Sequence, residues 1–340
     1  MHRSHLRPAA VALGVLSLLG PAGCTPAGGP ARTAANISIT YLQKQGDQQY
    51  FREEAAGARA RAERLGVELV VADLGDDARQ TLAEVRAAAE RRTGGLIVAV
   101  PDPAVGPDLV ALAAQAKVPL LASDDQICAT NAVPAACGQD DLVPRIGFSG
   151  RQMGAEVGRR AAEEFGKAGW DRADTRILAA WKHDVTVCTD RVNAADEAFL
   201  STAGASIRRI HVETDNTVAG ARERVAVAVR ANPKVKHWVV WGCNDENVQG
   251  GVTALANAGF GAEDVIGVGL GAYLACKDWN GGEPSGMKAA LFIDGRGVGA
   301  LAVQTMYDRL KNGKDFPKEA FAPTTMVDPG SWKAAGLSCG

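Results

Sequence analysis

The sequence carries no charge excess of either sign. Lys and Arg number 37 against 39 Asp and Glu, a net charge of −2. That excludes the basic footprint of a nucleic-acid binder, and no acidic tail is present. No pair of cysteines has CxxC spacing, which argues against a zinc site. No Gly-rich phosphate loop follows the first strand-like run. "YLQKQGDQQY" (41–50) has neither dinucleotide-binding nor P-loop spacing. A nucleophile elbow, a metal cluster and a cofactor loop are all missing, so nothing points to an enzyme and no cofactor is expected. The most apolar N-terminal run, "PAAVALGVLSLLG" (8–20), is shorter than the ~20 residues a transmembrane helix needs.

What is present is ordinary for a globular chain: 46% hydrophobic and 22% charged residues. At 340 residues the chain exceeds the size at which one core keeps growing, so two domains are expected.

The N-terminus reads as an address. Arg3 and Arg7 precede the apolar run, and "PAGC" and the small, polar "TPAGGPARTAAN" follow it. This is the layout of a secretory signal. Cys24 directly after Ala22-Gly23 resembles a bacterial lipobox, although Pro21 stands where an aliphatic residue is usual. The expectation is a signal peptide over 1–23, lipidation of Cys24, and a flexible tether over 24–36. The protein would then be exported and held by lipid on the outer face of the cell membrane. In an oxidising compartment the six other cysteines can pair. Cys128 and Cys137 bracket the Pro-containing loop "ATNAVPAA" and are the expected disulfide. The pairing of Cys188, Cys243, Cys276 and Cys339 stays open.

From residue 37 onward, apolar runs alternate with amphipathic helical patterns. "ISITYL", "VELVVADLG", "GLIVAV" and "VPLLAS" form a first set. "RILAAW", "SIRRIHV", "HWVVWG" and "DVIGVGL" form a second. Continuous apolar strands with helical crossovers imply parallel sheets covered on both faces, and two sets imply two similar α/β domains. Ligands of such sheets sit beyond the carboxyl ends of the strands. Those ends carry Lys44, Asp102, Asp124-Asp125-Gln126 and Asn244-Asp245, and "KHD" and then Arg191 follow "RILAAW". Asp and Asn at a strand-to-helix junction commonly cap the helix. Two adjacent polar residues exceed what one cap requires, which favours a ligand site at 124–125 and 244–245.

"KQGDQQYF", "VPDP", "SDDQ", "KAGWD", "NPKVKHWVVWGCND", "GGVTALANAGF" and "DVIGVGLG" occur in this order. Together they resemble the L-arabinose-binding protein branch of the periplasmic sugar-binding proteins, over about 37–335. The resemblance implies the type I periplasmic binding protein fold: two Rossmann-like domains with parallel sheets joined by a three-strand hinge. It implies an N-terminal lobe of 37–148 plus 293–324 and a C-terminal lobe of 149–292 plus 325–340. It also implies a monomer that closes on a monosaccharide and delivers it to the permease subunits of an ABC importer. The alternative is a sensor presenting its closed form to a membrane receptor.

By that resemblance Lys44 donates to sugar hydroxyls, and Tyr50 and Phe51 stand where a Trp-Phe pair lies near the sugar. Asp124 and Asp125 match an acidic pair near the anomeric end. Arg191 matches a donor to the ring oxygen, and Asn244 an amide that bonds a hydroxyl, which leaves Asp245 as the helix cap. Planar Asp, Asn and Arg ends suit hydroxyls that both donate and accept, and aromatic faces cover C–H faces. The departures are Gln48 for a Glu, Gly271 for an Asn, and Phe148 and Cys243 for pocket-lining Met residues. Lost hydroxyl partners of this kind change specificity strongly. Cys188 and Cys243 fall close to this pocket, either as a disulfide or as small buried hydrophobes.

Overall fold

The structure, a computed structural model, describes residues 37–128, 134–138, 142–204 and 206–339. The expected signal peptide, the lipidated Cys24 and the tether lie outside the described residues. Among those described, no helix is long and apolar enough to cross a membrane.

Two six-stranded sheets form the framework. The first runs β11–β5–β4–β3–β1–β2, with β1 Ser38–Gln43, β2 Glu68–Asp73, β3 Gly95–Val98, β4 Leu120–Ser123, β5 Arg145–Gly147 and β11 Glu319–Phe321. The second runs β12–β10–β9–β8–β6–β7, with β6 Thr175–Trp181, β7 Arg209–Glu213, β8 His237–Gly242, β9 Val265–Gly271, β10 Met287–Ile293 and β12 Thr324–Val327. Among the described residues, every pairing is parallel except β10 with β12.

The side-chain period of two explains the layers. On β1, Ile39 and Tyr41 face the core shared with helices α1 (Gln49–Leu65) and α9 (Gly295–Asn312), whereas Leu42 faces the second core with Leu96, Val98 and Leu109. β8 is buried along its length after His237, as its uninterrupted apolar run demands. The chain passes between the sheets three times: from β5 into α4 (Gly150–Ala168), from β10 into α9, and from β11 into β12.

In each sheet the strand order reverses at one place, between β1 and β3 in the first and between β6 and β8 in the second. A crevice opens at such a switch point, beyond the carboxyl ends. Lys44 follows β1, and Cys243-Asn244 follow β8, so both switch points carry candidate residues. Arg191 is brought in by α5 (Thr186–Ala203), which packs closely on α4. Gly154 makes that approach feasible, because a Cβ there would collide with the Arg191 carbonyl.

Candidate ligand-binding cleft

A cavity of about 460 Å³ is lined by residues from both sheets' carboxyl ends. Lys44, Gln48, Tyr50, Phe51, Asp124 and Asp125 come from the first side, and Arg191, Cys243, Asn244 and Gly271 from the second.

Four buried charges cross it in a chain. Lys44 Nζ pairs with Asp125 and lies 3.5 Å from Asp124 Oδ2. Arg191 Nη2 lies 3.8 Å from Asp124 Oδ1. In a regular strand, side chains of consecutive residues point to opposite faces. Asp124 instead adopts φ 62°, and the resulting turn brings both carboxylates to Lys44. Asp tolerates this left-handed conformation better than most residues. It is held there by Asp124 N–H donating to the Ile146 carbonyl (2.9 Å) and by Arg145 Nη1 donating to the Asp124 carbonyl (3.2 Å). Arg145 is itself fixed by Glu319 on β11, at 2.6 Å.

Burial, and then the neighbouring Asp125, hold the Asp124 carboxyl above its ordinary range against the pull of Lys44, Arg191 and Arg145. Burial works against the Lys44 ammonium, but Asp125 and Asp124 outweigh it, so Lys44 titrates above its ordinary value and stays charged. Behind this layer, Tyr41 Oη and Ser123 Oγ both donate to Glu54 Oε1. Burial, followed by the Asp124 charge, pushes Glu54 up to about 7.

The aromatic wall is Tyr50 against Phe51, edge to face with ring centroids 4.9 Å apart, and Lys44 Nζ lies 5.3 Å from the Phe51 centroid. Gln48 sits at the N-cap of α1, but its side chain makes no capping bond. Among the described residues, five buried polar atoms of the lining have no partner within the protein: Asp125 Oδ1, Gln126 Oε1, Asp245 Oδ1, Arg191 Nε and Tyr50 Oη. Each such atom costs about 1–3 kcal/mol if left dry, so the arrangement offers acceptors, a donor and a hydroxyl to a polar guest.

Two expectations are corrected. Asn244, not Asp245, caps the helix α7 (Asp245–Asn257): its Oδ1 accepts from Asn247 N–H at 3.0 Å. Its Nδ2 also donates to the Asn216 carbonyl at 3.0 Å, which leaves one amide proton for a ligand. Asp245 is buried and accepts from Leu274 N–H at 2.6 Å and Ala275 N–H at 3.3 Å, tying down the chain after β9. Phe148 does not line the cavity; it is buried behind Tyr50, ring centroids 6.3 Å apart. Gly271 lines the cavity at φ 130°, a backbone region closed to most side chains, so the backbone itself favours glycine there.

Cysteines pair as Cys128–Cys137, Cys188–Cys243 and Cys276–Cys339. Cys188 and Cys243 are therefore cystine rather than free apolar side chains, and both line the cavity. Arg145 and Glu54 escaped sequence reasoning. A strand of three residues and one inward turn of a polar helix carry no signal of burial.

Residues 39–315 match the periplasmic binding protein domain. The chain belongs to that family. It is 27% identical to the L-arabinose-binding periplasmic protein of Escherichia coli, over 84% of this chain and 85% of that one. It is 25% identical to the ABC transporter L-arabinose-binding periplasmic protein of Azospirillum brasilense, over 92% of each. Among solved structures, an ABC transporter periplasmic solute binding protein from Actinobacillus succinogenes with bound D-allose superposes with a TM-score of 0.75 at 20% identity. That match covers 88% of this chain and all of the other. These similarities are to binding proteins, and the chain is a member of a binding-protein family rather than an enzyme.

Proposed function

We propose that the chain is an exported lipoprotein, anchored through Cys24, that captures a neutral monosaccharide between two lobes and hands it to an ABC importer. The observation that carries this reading is the composition of the buried cleft. Two cations, Lys44 and Arg191, stand against two carboxylates, Asp124 and Asp125, while a third buried carboxylate of the lining, Asp245, is taken up by the Leu274 and Ala275 amides. A phosphorylated or acidic sugar would bring an unmatched charge into this desolvated space, at a cost of several kcal/mol. A neutral polyol brings none, and its hydroxyls suit the unpartnered Asp125 Oδ1, Arg191 Nε and Tyr50 Oη. Both curated relatives are arabinose-binding by name, so L-arabinose heads the panel, followed by D-galactose and D-fucose. Gln48 and Gly271 depart from the family pattern and are read as the places where the far hydroxyls are recognised differently.

The lobes are taken as 37–148 plus 293–324 and 149–292 plus 325–340, acting as a monomer and closing about the three crossings. Since Lys44, Asp124 and Asp125 belong to one lobe and Arg191 and Asn244 to the other, a bound sugar bridges both. A thermal-shift panel of pentoses, hexoses, a sugar acid and a sugar phosphate tests the proposal. Binding to the native state raises Tm with concentration. At least one neutral sugar should do so and the charged analogues should not; a panel without any neutral-sugar response defeats the reading.

A further inference from the structure

We infer that the Cys188–Cys243 cystine is a positioning element of the cleft, so that ligand affinity depends on its oxidation state. The inference rests on reading the cleft as the ligand site. Cys188 lies on α5 three residues before Arg191, and Cys243 immediately precedes Asn244. The bond therefore staples together the two segments that present the second side's polar groups. Arg191 Nη1 donates to the Cys243 carbonyl at 3.0 Å and lies 3.6 Å from Cys243 Sγ. The guanidinium that faces Asp124 thus takes its orientation from a backbone atom of the cystine itself. On the other flank, Asn216 Nδ2 lies 3.5 Å from Cys188 Sγ, while the Asn216 carbonyl accepts from Asn244 Nδ2 at 3.0 Å.

The other two disulfides differ. Cys128–Cys137 closes a loop of sequence separation 9, and Cys276–Cys339 ties the helix 275–280 to the chain's end. Neither contributes a cavity-lining residue. They are internal controls for a purely structural role.

Reduction by an external dithiol breaks the Cys188–Cys243 S–S bond, leaves two protein thiols and oxidises the dithiol to its cyclic disulfide. With the staple gone, Arg191 keeps its hydrogen bond to the Cys243 carbonyl, but its helix and that segment are no longer covalently joined. Linkage is reciprocal: whatever factor reduction costs in ligand affinity, bound ligand must impose on the reduction equilibrium.

The test uses the secreted, oxidised protein, the variants C188A/C243A, C128A/C137A and C276A/C339A, and titration with L-arabinose, D-galactose and D-fucose. In ligand-free protein, C188A/C243A should speed backbone hydrogen exchange at 186–192 and 243–247, and the two control variants should not. Its affinity for the sugar that wild type binds best should fall at least tenfold, with the controls within about twofold. If C188A/C243A does not fold, wild type is equilibrated with dithiothreitol. Bound sugar should then shift reduction of this bond by the same factor, tenfold or more, and leave the other two bonds unaffected. Unchanged exchange in both segments, unchanged affinity, or sugar-independent reduction overturns the inference. If wild type binds none of the three sugars, the sugar reading fails, and the exchange measurement still decides whether the cystine positions Arg191.

Discussion

The Asp124 carboxylate and the Arg191 guanidinium face each other at 3.8 Å across the cleft, one carried by the turn after β4, the other by α5. Each is buried, and each has further partners on its own side: Lys44 for Asp124, the Cys243 carbonyl for Arg191. A ligand between them gains from both, and a variant lacking one leaves the other charge buried with fewer partners.

Arg191→Ala should therefore weaken binding of every sugar that binds at all. Removing one member of a buried, hydrogen-bonded charge pair typically costs about 2–5 kcal/mol. Isothermal titration against a pentose and two hexoses checks it, and wild-type affinity in Arg191→Ala would remove Arg191 from the site. Phe148→Met should have a smaller and different effect. Phe148 does not line the cavity and lies behind Tyr50, so its replacement should change sugar affinities less than Arg191→Ala does.

A second prediction concerns pH. Glu54 is pushed from its ordinary 4.5 up to about 7, first by burial and then by Asp124. The folded state thus holds this proton more tightly than the unfolded chain does. Between those two values the folded state binds more protons, so stability falls as pH rises from about 4.5 to about 7 and is level in this respect above that. The full span amounts to roughly 3 kcal/mol. Glu54→Gln keeps an acceptor for Tyr41 and Ser123 and removes the titration. Glu246 is pushed up to about 7 as well, by burial, Asp245 and Asp47, so the variant should reduce the slope without abolishing it. Urea denaturation at pH 5, 6, 7 and 8 measures this. Identical slopes in wild type and Glu54→Gln would show that Glu54 titrates normally.

Particular residues show how far the sequence could be read. β8 was legible because a run as apolar as "HWVVWG" has nowhere to go but the middle of a covered sheet. β5 and β11 were not. Each has three residues, and their pairing joins positions far apart in the chain, which no local pattern announces. The polar ends of β1, β4 and β8 marked the cleft, because carboxyl ends of parallel strands converge there. The division of labour between Asn244 and Asp245 was hidden. Either residue type caps a helix, and the decision depends on Leu274 and Ala275, whose amides take up Asp245. Arg145 reads as a surface residue, and only the left-handed backbone at Asp124 reveals what it holds.

The Cys128–Cys137 disulfide should stabilise the first lobe modestly. Its Cα atoms are 5.6 Å apart with a sequence separation of 9, and closing a short loop contributes about 2–3 kcal/mol in the chain-entropy picture. Replacing both cysteines by Ala should lower the unfolding free energy by that amount, read from denaturation curves, and leave sugar affinity unchanged. Non-reducing peptide mapping of exported protein provides the direct check, and two freely alkylated thiols would count against the bond.

The proposed lipidation of Cys24 predicts a change of phase on its replacement. Expressed with its N-terminal segment in a lipoprotein-processing bacterium, the wild-type chain should partition into the detergent phase. Cys24→Ser should move it to the aqueous phase or halt its processing. An equally membrane-bound Cys24→Ser protein would show that lipidation at this residue is wrong.

The last prediction separates the two duties of Asn244. Its Oδ1 caps α7 through Asn247 N–H, and its Nδ2 has one proton left on the cavity side after bonding the Asn216 carbonyl. Capping needs only a short side chain with an acceptor oxygen, which Ser supplies about as well as Asn. The proton toward the cavity needs the amide. Asn244→Ser should therefore keep the cap and lose the bond to the Asn216 carbonyl, about 1 kcal/mol of stability, and weaken sugar binding by about 1 kcal/mol, the worth of one ordinary hydrogen bond. Asn244→Ala should lose the same affinity and a further ~1 kcal/mol of stability with the cap. Parallel denaturation and titration of both variants decide it. If Ser restores both stability and affinity, Asn244 is a cap and nothing more, and the sugar finds its amide partner elsewhere in the cleft.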